Sequence, residues 1–534
     1  MTEAPLLDIQ NLTIAFGDST VVHDVSFRLN RGEVLALVGE SGSGKSVTST
    51  AIMGLLPKAG RITKGRVVHV PTGTAWAGAG HHGQAPLGQG LSMVFQDPMS
   101  SLNPSMRVGW QVAESLVVHA GQSKEEARSQ VIRLLQEVEL PDPERCFEKY
   151  PHELSGGQKQ RIMIALALAA SPEVLIADEP TTALDTTVQQ SILTLLRKLQ
   201  QQRNLAVLFI THDLDVVHDI ADRVLVMNKG RLVESGTVNE VLNAPQDPYT
   251  QALVAARKLT DHRPKTATSD ALIHAESLTK TYVIEKNLWG RPKRTFDAVK
   301  DVSLSINRCE RVGLIGESGS GKSTLGRMLI GMLAPSDGVV RFDGIPVDAA
   351  NRTTMATIRR KAQLVFQDPF SALNPKLSVG SALAEVMTQR GLSYQEAATQ
   401  VDKLLVEVGL APSDAAKKPG GFSGGQRQRL VIARALAVEP EFLVLDESVA
   451  ALDVQIQREI LALLAQIGDD RGLTYLFISH DLSVVASFCN RLLIMHEGRL
   501  VESGETDQIL ENPTSPYTTE LLASRPGQRS PVLS

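Results

Sequence analysis

Cysteine is scarce in this chain: three residues in 534, Cys146, Cys309 and Cys489. They lie far apart, form no CxxC pair and are odd in number, which argues against both a metal cluster and a disulfide framework and predicts reduced, buried thiols. Long apolar runs are also missing. The longest is about the size of Ile164–Ala170, well short of the roughly eighteen residues a membrane-spanning helix needs. The opening MTEAPLLDIQ is acidic rather than signal-like, so the expectation is a soluble, cytosolic chain. Neither sign of charge dominates: 54 basic against 59 acidic side chains leave a net charge of −5. No global field therefore attracts nucleic acid or anionic lipid, and any role at a membrane must come from a docking surface. The length exceeds what one compact core serves and points to two large halves.

What the sequence does contain, it contains twice. GESGSGKS occurs at Gly39–Ser46 and again at Gly316–Ser323, 277 positions on. VFQDPMSSLNP at Val94 matches VFQDPFSALNP at Val365, and LSGGQKQR at Leu154 matches FSGGQRQR at Phe422. VLIADEPTTALD, FITHDL and DPYTQAL likewise return as FLVLDESVAALD, FISHDL and SPYTTEL. From the SGGQ pair onward the offset stays at 268, so the first half carries extra residues between Lys45 and Gln158. Most fall in GTAWAGAGHHGQAPLGQG, which reads as a surface loop, with His81 and His82 solvated for want of a third ligand. ARKLTDHRPKTATSDAL between the halves is polar, contains Pro264 and lacks periodicity. The expected division is 1–257 as a first domain, 258–271 as linker and 272–534 as a second domain with a C-terminal tail.

Each half opens with a buried-strand run (EVLALVGE, RVGLIGE), then the Gly-rich octapeptide, then a helix-like segment. Later strand runs alternate with helical segments such as VQQSILTLLRKLQQQ, which implies an α/β fold, a mostly parallel sheet with covering helices. The helix-patterned stretch between Gln96 and Ser155 is expected to form a separate helical subdomain. The octapeptide places backbone N–H groups around phosphate oxygens and aims a helix N-terminus at the same anion. Lys45 and Lys322 would contact the β- and γ-phosphates, and the hydroxyls of Ser46 and Ser323 would ligate Mg²⁺. An apolar strand ending in Asp178-Glu179, or Asp446-Glu447, supplies one carboxylate for Mg²⁺ and a second to polarise an attacking water. His212 and His480, each directly after the next strand run, are placed to contact the γ-phosphate.

Two copies of GESGSGKS, FQDP, SGGQ, DE and HD, in that order and at these spacings, resemble two ATP-binding cassette (ABC) domains fused in one chain, over about residues 6–257 and 272–525. The resemblance implies that each P-loop sheet core carries an antiparallel β part and a helical subdomain. It implies ATP contacts from Gly39, Ser41, Gly42, Gly44, Lys45, Ser46 and Val47, and from Gly316, Ser318, Gly319, Gly321, Lys322, Ser323 and Thr324. Gln96 and Gln367 match the glutamine that senses Mg²⁺ and the attacking water. Phe16 and Tyr282 fall where the family stacks an aromatic on adenine, and Asp185 and Asp453 match a loop that crosses between two active sites. In such proteins the signatures Ser155, Gly156, Gly157, Gln158 and Ser423, Gly424, Gly425, Gln426 each close over the nucleotide held by the other half, so two halves make two complete sites. Fusion keeps the partner at high local concentration.

The SLNP and ALNP after FQDP, with the repeated PYT tails, resemble the ATPase subunits of peptide and nickel importers. Some of those relatives hold an iron–sulfur cluster on a cysteine-rich tail; this chain has no such cysteines, and none is expected. Fused versions serve di- and oligopeptide, glutathione and peptide-antibiotic uptake. The implied function is thus ATP-driven import by a peripheral subunit on the cytoplasmic face of a bacterial inner membrane. It would work with two permeases and an extracytoplasmic substrate-binding protein, and with no nucleic acid. Residues around Met99 and Phe370 are expected to receive the permeases. The alternatives are a twin-cassette sugar importer and a ribosome-associated twin-cassette ATPase.

Overall fold

A computed structural model describes residues 5–524 apart from 81–84, 98–100, 183, 256–259, 265–269, 288–291, 349, 367–371, 450–451 and 453. The chain folds as two compact units that divide after Lys258.

In the first unit, β1 (Pro5–Phe16), β2 (Ser19–Asn30), β4 (Gly60–His69) and β5 (Thr74–Gly78) form an antiparallel sheet in the order β2-β1-β4-β5. A six-stranded sheet follows the order β10-β9-β3-β8-β7-β6. Its strands are β3 (Val34–Val38), β6 (Leu91–Val94), β7 (Val174–Asp178), β8 (Ala206–Thr211), β9 (Arg223–Asn228) and β10 (Arg231–Thr237). All its pairings are parallel except β9 with β10. Every residue of β3, β7 and β8 is buried, as a strand covered on both faces requires, and their nearly continuous apolar runs, VLALV, VLIAD and AVLFIT, are the sequence trace of it. Helices Val108–Ala120 and Lys124–Glu137 lie in the region expected to be helical. The latter starts at a capping box in which Ser123 and Glu126 satisfy each other's backbone N–H.

The second unit repeats the plan. Its antiparallel sheet is β12-β11-β14-β15, from β11 (Ala271–Lys286), β12 (Pro292–Asn307), β14 (Asp337–Phe342) and β15 (Ile345–Pro346). Its larger sheet runs β16-β17-β18-β13-β19-β20, with β13 (Arg311–Ile315), β16 (Ala362–Val365), β17 (Phe442–Asp446), β18 (Thr474–Ser479), β19 (Arg491–His496) and β20 (Arg499–Glu505).

Two findings refine the sequence reading. The Gly/Ala-rich stretch expected to be a surface loop contains β5, because Trp76 leaves only 6% of its surface exposed and stacks on His69 at 4.6 Å. One aromatic anchor outweighs a turn-rich composition. His81 and His82 lie outside the described residues. Within the expected linker, His262 and Arg263 pack on the second unit: the His262 N–H donates to Ser487 O at 2.7 Å, and Arg263 pairs with Asp507 at 2.6 Å.

Candidate nucleotide-binding sites

The octapeptide joins β3 to helix Lys45–Ile52 in the first unit and β13 to helix Lys322–Leu329 in the second. Glycine is required at its root: a Cβ on Gly39 would lie 2.1 Å from the Met227 carbonyl oxygen. Lys45 Nζ folds back over the loop and donates to the carbonyls of Gly39 (2.7 Å) and Glu40 (2.8 Å); Lys322 does the same to Gly316 and Glu317 at the same distances. Ser41 and Gly42 stand exposed at the tip, as do Ser318 and Gly319. Val22 of β2 packs 3.3 Å from the Cβ position of Gly44, which brings the antiparallel sheet against the loop.

Strand β7 delivers Asp178 and Glu179 to the same place. Ser46 Oγ donates to Asp178 Oδ1 at 3.3 Å, and Ser323 Oγ to Asp446 Oδ1 at 2.7 Å. Glu179 and Glu447 adopt left-handed backbone conformations, φ +47 and +48, which cost a non-glycine residue about 1 kcal/mol or more. Each is held there by its N–H, which donates at 2.9 Å to Ile210 or Ile478 on the neighbouring strand. The turn re-aims the side chain. Glu179 Oε2 accepts from Gln96 Nε2 (2.8 Å) and Thr182 Oγ1 (3.0 Å), and Oε1 meets His212 Nδ1 at 3.1 Å. In the second unit His480 Nδ1 lies 3.5 Å from Glu447 Oε1. Gln367 and Asp453 lie outside the described residues.

Burial pushes the Asp178 carboxyl up to about 6, the Ser46 hydroxyl offsetting part of it, and raises Asp446 for the same reason. Burial pushes Glu179 up too, but His212, Thr182 and Lys45 prevail and leave it below the ordinary carboxylate range. His480, with burial opposing it, holds Glu447 low. His212 and His480 are raised: burial lowers each, and the facing glutamate more than compensates. Each unit thus keeps one carboxylate reluctant to ionise and one ionised beside an imidazole.

The cost of that arrangement can be measured in nucleotide- and metal-free protein. An unfolded Asp ionises near pH 4, whereas folded Asp178 does so at about pH 6. Below pH 4 both states are protonated and nothing is lost; between pH 4 and 6 stability falls as pH rises; above 6 the full penalty stands. Asp178→Asn is therefore expected to stabilise the protein at pH 7.5 by up to about 3 kcal/mol. Thermal melts should show that gain shrinking toward pH 4.5, and a pH-independent effect would contradict it.

The remaining sequence candidates sit elsewhere. Ser155 and Ser423 are N-caps of helices Gly156–Leu168 and Gly424–Leu436, in capping boxes closed by Gln158 and Gln426. Gly157 and Gly425 press on the next helix, where a Cβ would come 2.6 Å from Val188 or Ile456. Asp185 caps helix Thr186–Arg203, accepting from the Val188 N–H at 3.0 Å. Phe16 packs over Gly60 at the end of β1, whereas Tyr282 is 41% exposed with Lys280 Nζ 5.7 Å from its ring centre. The sequence reading missed two hydroxyls, those of Thr182 on Glu179 and Tyr249 on the phosphate loop; the repeated PYT tail was the signal available for the second.

A glycine-rich loop at a helix start, a buried lysine folded over it and carboxylates of opposite tendency suit phosphoryl transfer, and each unit is a P-loop ATPase. Known proteins agree. The ABC transporter family matches residues 22–182 and 299–450, and the oligopeptide/dipeptide transporter C-terminal region matches residues 233–276 and 501–532. The glutathione import ATP-binding protein GsiA of Shigella sonnei is 42% identical over 561 residues, covering 98% of this chain and 89% of that one, and its Escherichia coli K12 counterpart gives the same values. Among solved structures, cbiO1 from Clostridium perfringens, part of an ABC transporter complex, is 30% identical over 46% of this chain and 92% of its own, with a TM-score of 0.40.

The chain belongs to the ABC transporter ATPases, in the oligopeptide/dipeptide importer branch. It hydrolyses ATP to drive import and works with membrane permease subunits. Among the described residues no helix is long and apolar enough to cross a membrane.

Proposed function

We propose that the chain powers uptake of a short peptide of glutathione size from the cytoplasmic face of a bacterial inner membrane. An extracytoplasmic binding protein would deliver the peptide to two permeases. The observation that carries this reading is the 42% identity, over nearly the whole fused chain, to a glutathione import ATP-binding protein. Both cassettes bind and hydrolyse ATP in this proposal, each completed by the signature serine and glycines of the other, with Asp185 and Asp453 at the crossing loops. Phe16 and Tyr282 take the adenines.

Glu179 and Glu447 serve as general bases: ionised, held by a histidine, and in the first cassette oriented by Gln96 and Thr182. Hard oxygen donors beside a buried carboxylate that resists ionisation suit Mg²⁺, which Ser46, Asp178 and Gln96 would hold in one cassette and Ser323, Asp446 and Gln367 in the other. When bound it neutralises charge on the β- and γ-phosphates. The surfaces around Met99 and Phe370 proposed to receive the permeases lie outside the described residues.

Deleting the gene in its host and following labelled glutathione and a labelled dipeptide tests the substrate. Loss of uptake of either, restored by the wild-type gene, is the expected result. Unchanged uptake of both, with loss of sugar uptake instead, would overturn it.

A further inference from the structure

The PYT tails are a repeated motif that hydrolysis does not use, and the fold brings the tyrosine of each to the phosphate loop of its own cassette. In the first cassette Glu234 of β10 accepts the N–H groups of Gln246 (2.8 Å) and Asp247 (3.1 Å), pinning the chain before helix Pro248–Ala255. Asp247 Oδ1 then accepts the Tyr249 N–H at 2.8 Å, and Pro248 suits the first helical position, where no N–H is needed. Thr250, 1% exposed, seats the first turn. In the second cassette Glu502 pins Thr514 and Ser515 at 2.8 and 3.1 Å, and Thr518 is fully buried. The tyrosine between these anchors has little freedom.

Its hydroxyl lands on the root of the loop. Tyr249 Oη accepts the Glu40 N–H at 3.1 Å, and Tyr517 Oη accepts the Glu317 N–H at 3.1 Å. The Tyr517 ring also lies 4.0 Å from that of His496, at the end of β19. Glu40 is where the loop is organised: its carbonyl accepts Lys45 Nζ at 2.8 Å and the Ser43 N–H at 3.2 Å. The tyrosine thus holds the N–H of the residue whose carbonyl parks the lysine. Beside it, Gly39 has no room for a side chain, since a Cβ there would lie 2.1 Å from the Met227 carbonyl oxygen.

We propose that Tyr249 and Tyr517 are positioning residues for nucleotide binding, through which the tail of each cassette keeps its phosphate loop in the arc that receives the triphosphate. The geometry recurs in two cassettes whose tails differ at six of these eleven positions, NAPQDPYTQAL against ENPTSPYTTEL. The inference rests on the octapeptides being ATP sites and is independent of what is transported.

The test is Tyr249→Phe with Tyr517→Phe in the full-length chain, which keeps both rings and removes only the hydroxyls. Glu40 and Glu317 are half-buried, so water can reach the released N–H, and the melting temperature should stay within about 2 °C. KM for ATP should rise about 5–20-fold as the loop loses preorganisation, with kcat within about twofold. Inorganic tripolyphosphate, which has no adenine, should lose inhibitory potency by the same factor. An unchanged KM, or a loss confined to kcat or melting temperature, would overturn the proposal. Wild-type turnover that vanishes in Lys45→Ala with Lys322→Ala establishes the ATP sites separately.

Discussion

Lys45→Ala combined with Lys322→Ala is expected to abolish ATP hydrolysis. Lys45 and Lys322 are each 5% exposed, and each ammonium donates to two loop carbonyls at 2.7 and 2.8 Å, contacts it can exchange for phosphate oxygens. Removing a positioned cation from a water-poor site where negative charge develops costs on the order of 10²–10³-fold. Because both loops lose theirs, no intact site is left to carry residual turnover. Phosphate release near the wild-type rate would mean that these octapeptides are not the hydrolytic loops.

Glu179→Gln and Glu447→Gln, made singly, carry the next largest effect. Glutamine keeps the size and one acceptor oxygen, which suffices for the Gln96 and Thr182 donors of the first cassette, and replaces the other oxygen by an NH₂ that takes no proton; the loss reports chiefly proton abstraction, about 10²–10⁴-fold per site. If the cassettes fire in concert, each single variant should be nearly inactive. The two sites are not chemically identical. Thr182 donates to Glu179 at 3.0 Å, whereas the second cassette has Ala450 at that position, and Pro180 is matched by Ser448, itself buried. The catalytic pair Asp446-Glu447 is itself unchanged and His480 holds Glu447 ionised, so Glu447 is expected to be fully competent. Near-normal ATPase in Glu447→Gln beside an inactive Glu179→Gln would make the second cassette a nucleotide clamp.

Much of this was legible in the sequence because the chemistry is carried by short contiguous runs. A buried strand, a glycine loop and a helix start leave a local trace, and a carboxylate pair at the end of an apolar run places itself. The duplication supplied a second reading of every motif. Contacts between segments distant in sequence were less visible. The bond from Tyr249 to Glu40 spans 209 positions, and no periodicity relates the two. Thr182 was hidden because DEPTTALD reads as a turn, and only the left-handed backbone at Glu179 brings that hydroxyl under the carboxylate. The strand at Thr74–Gly78 was masked by glycine and alanine, with Trp76 the sole hint.

Arg311, at the start of β13, is 1% exposed, and it is placed where the first cassette has Val34. It lies 4.9 Å from the ring centre of Phe488 and 5.9 Å from that of Tyr475, where the first cassette has Ile220 and Val207. Its guanidinium is satisfied by the carbonyl of Ala465 at 3.0 Å, by Asp469, and by the carbonyl of His262, outside the repeat. The second copy has thus rebuilt its interior around a piece of the connecting chain. A gene split at residue 272, which sequence repetition alone recommends, would separate this cassette from one of the acceptors of its own buried cation. Two separately encoded halves that still fold would have to be cut ahead of Thr260, and any descendant that returned to separate subunits would have to carry the connector along or restore an apolar residue at 311.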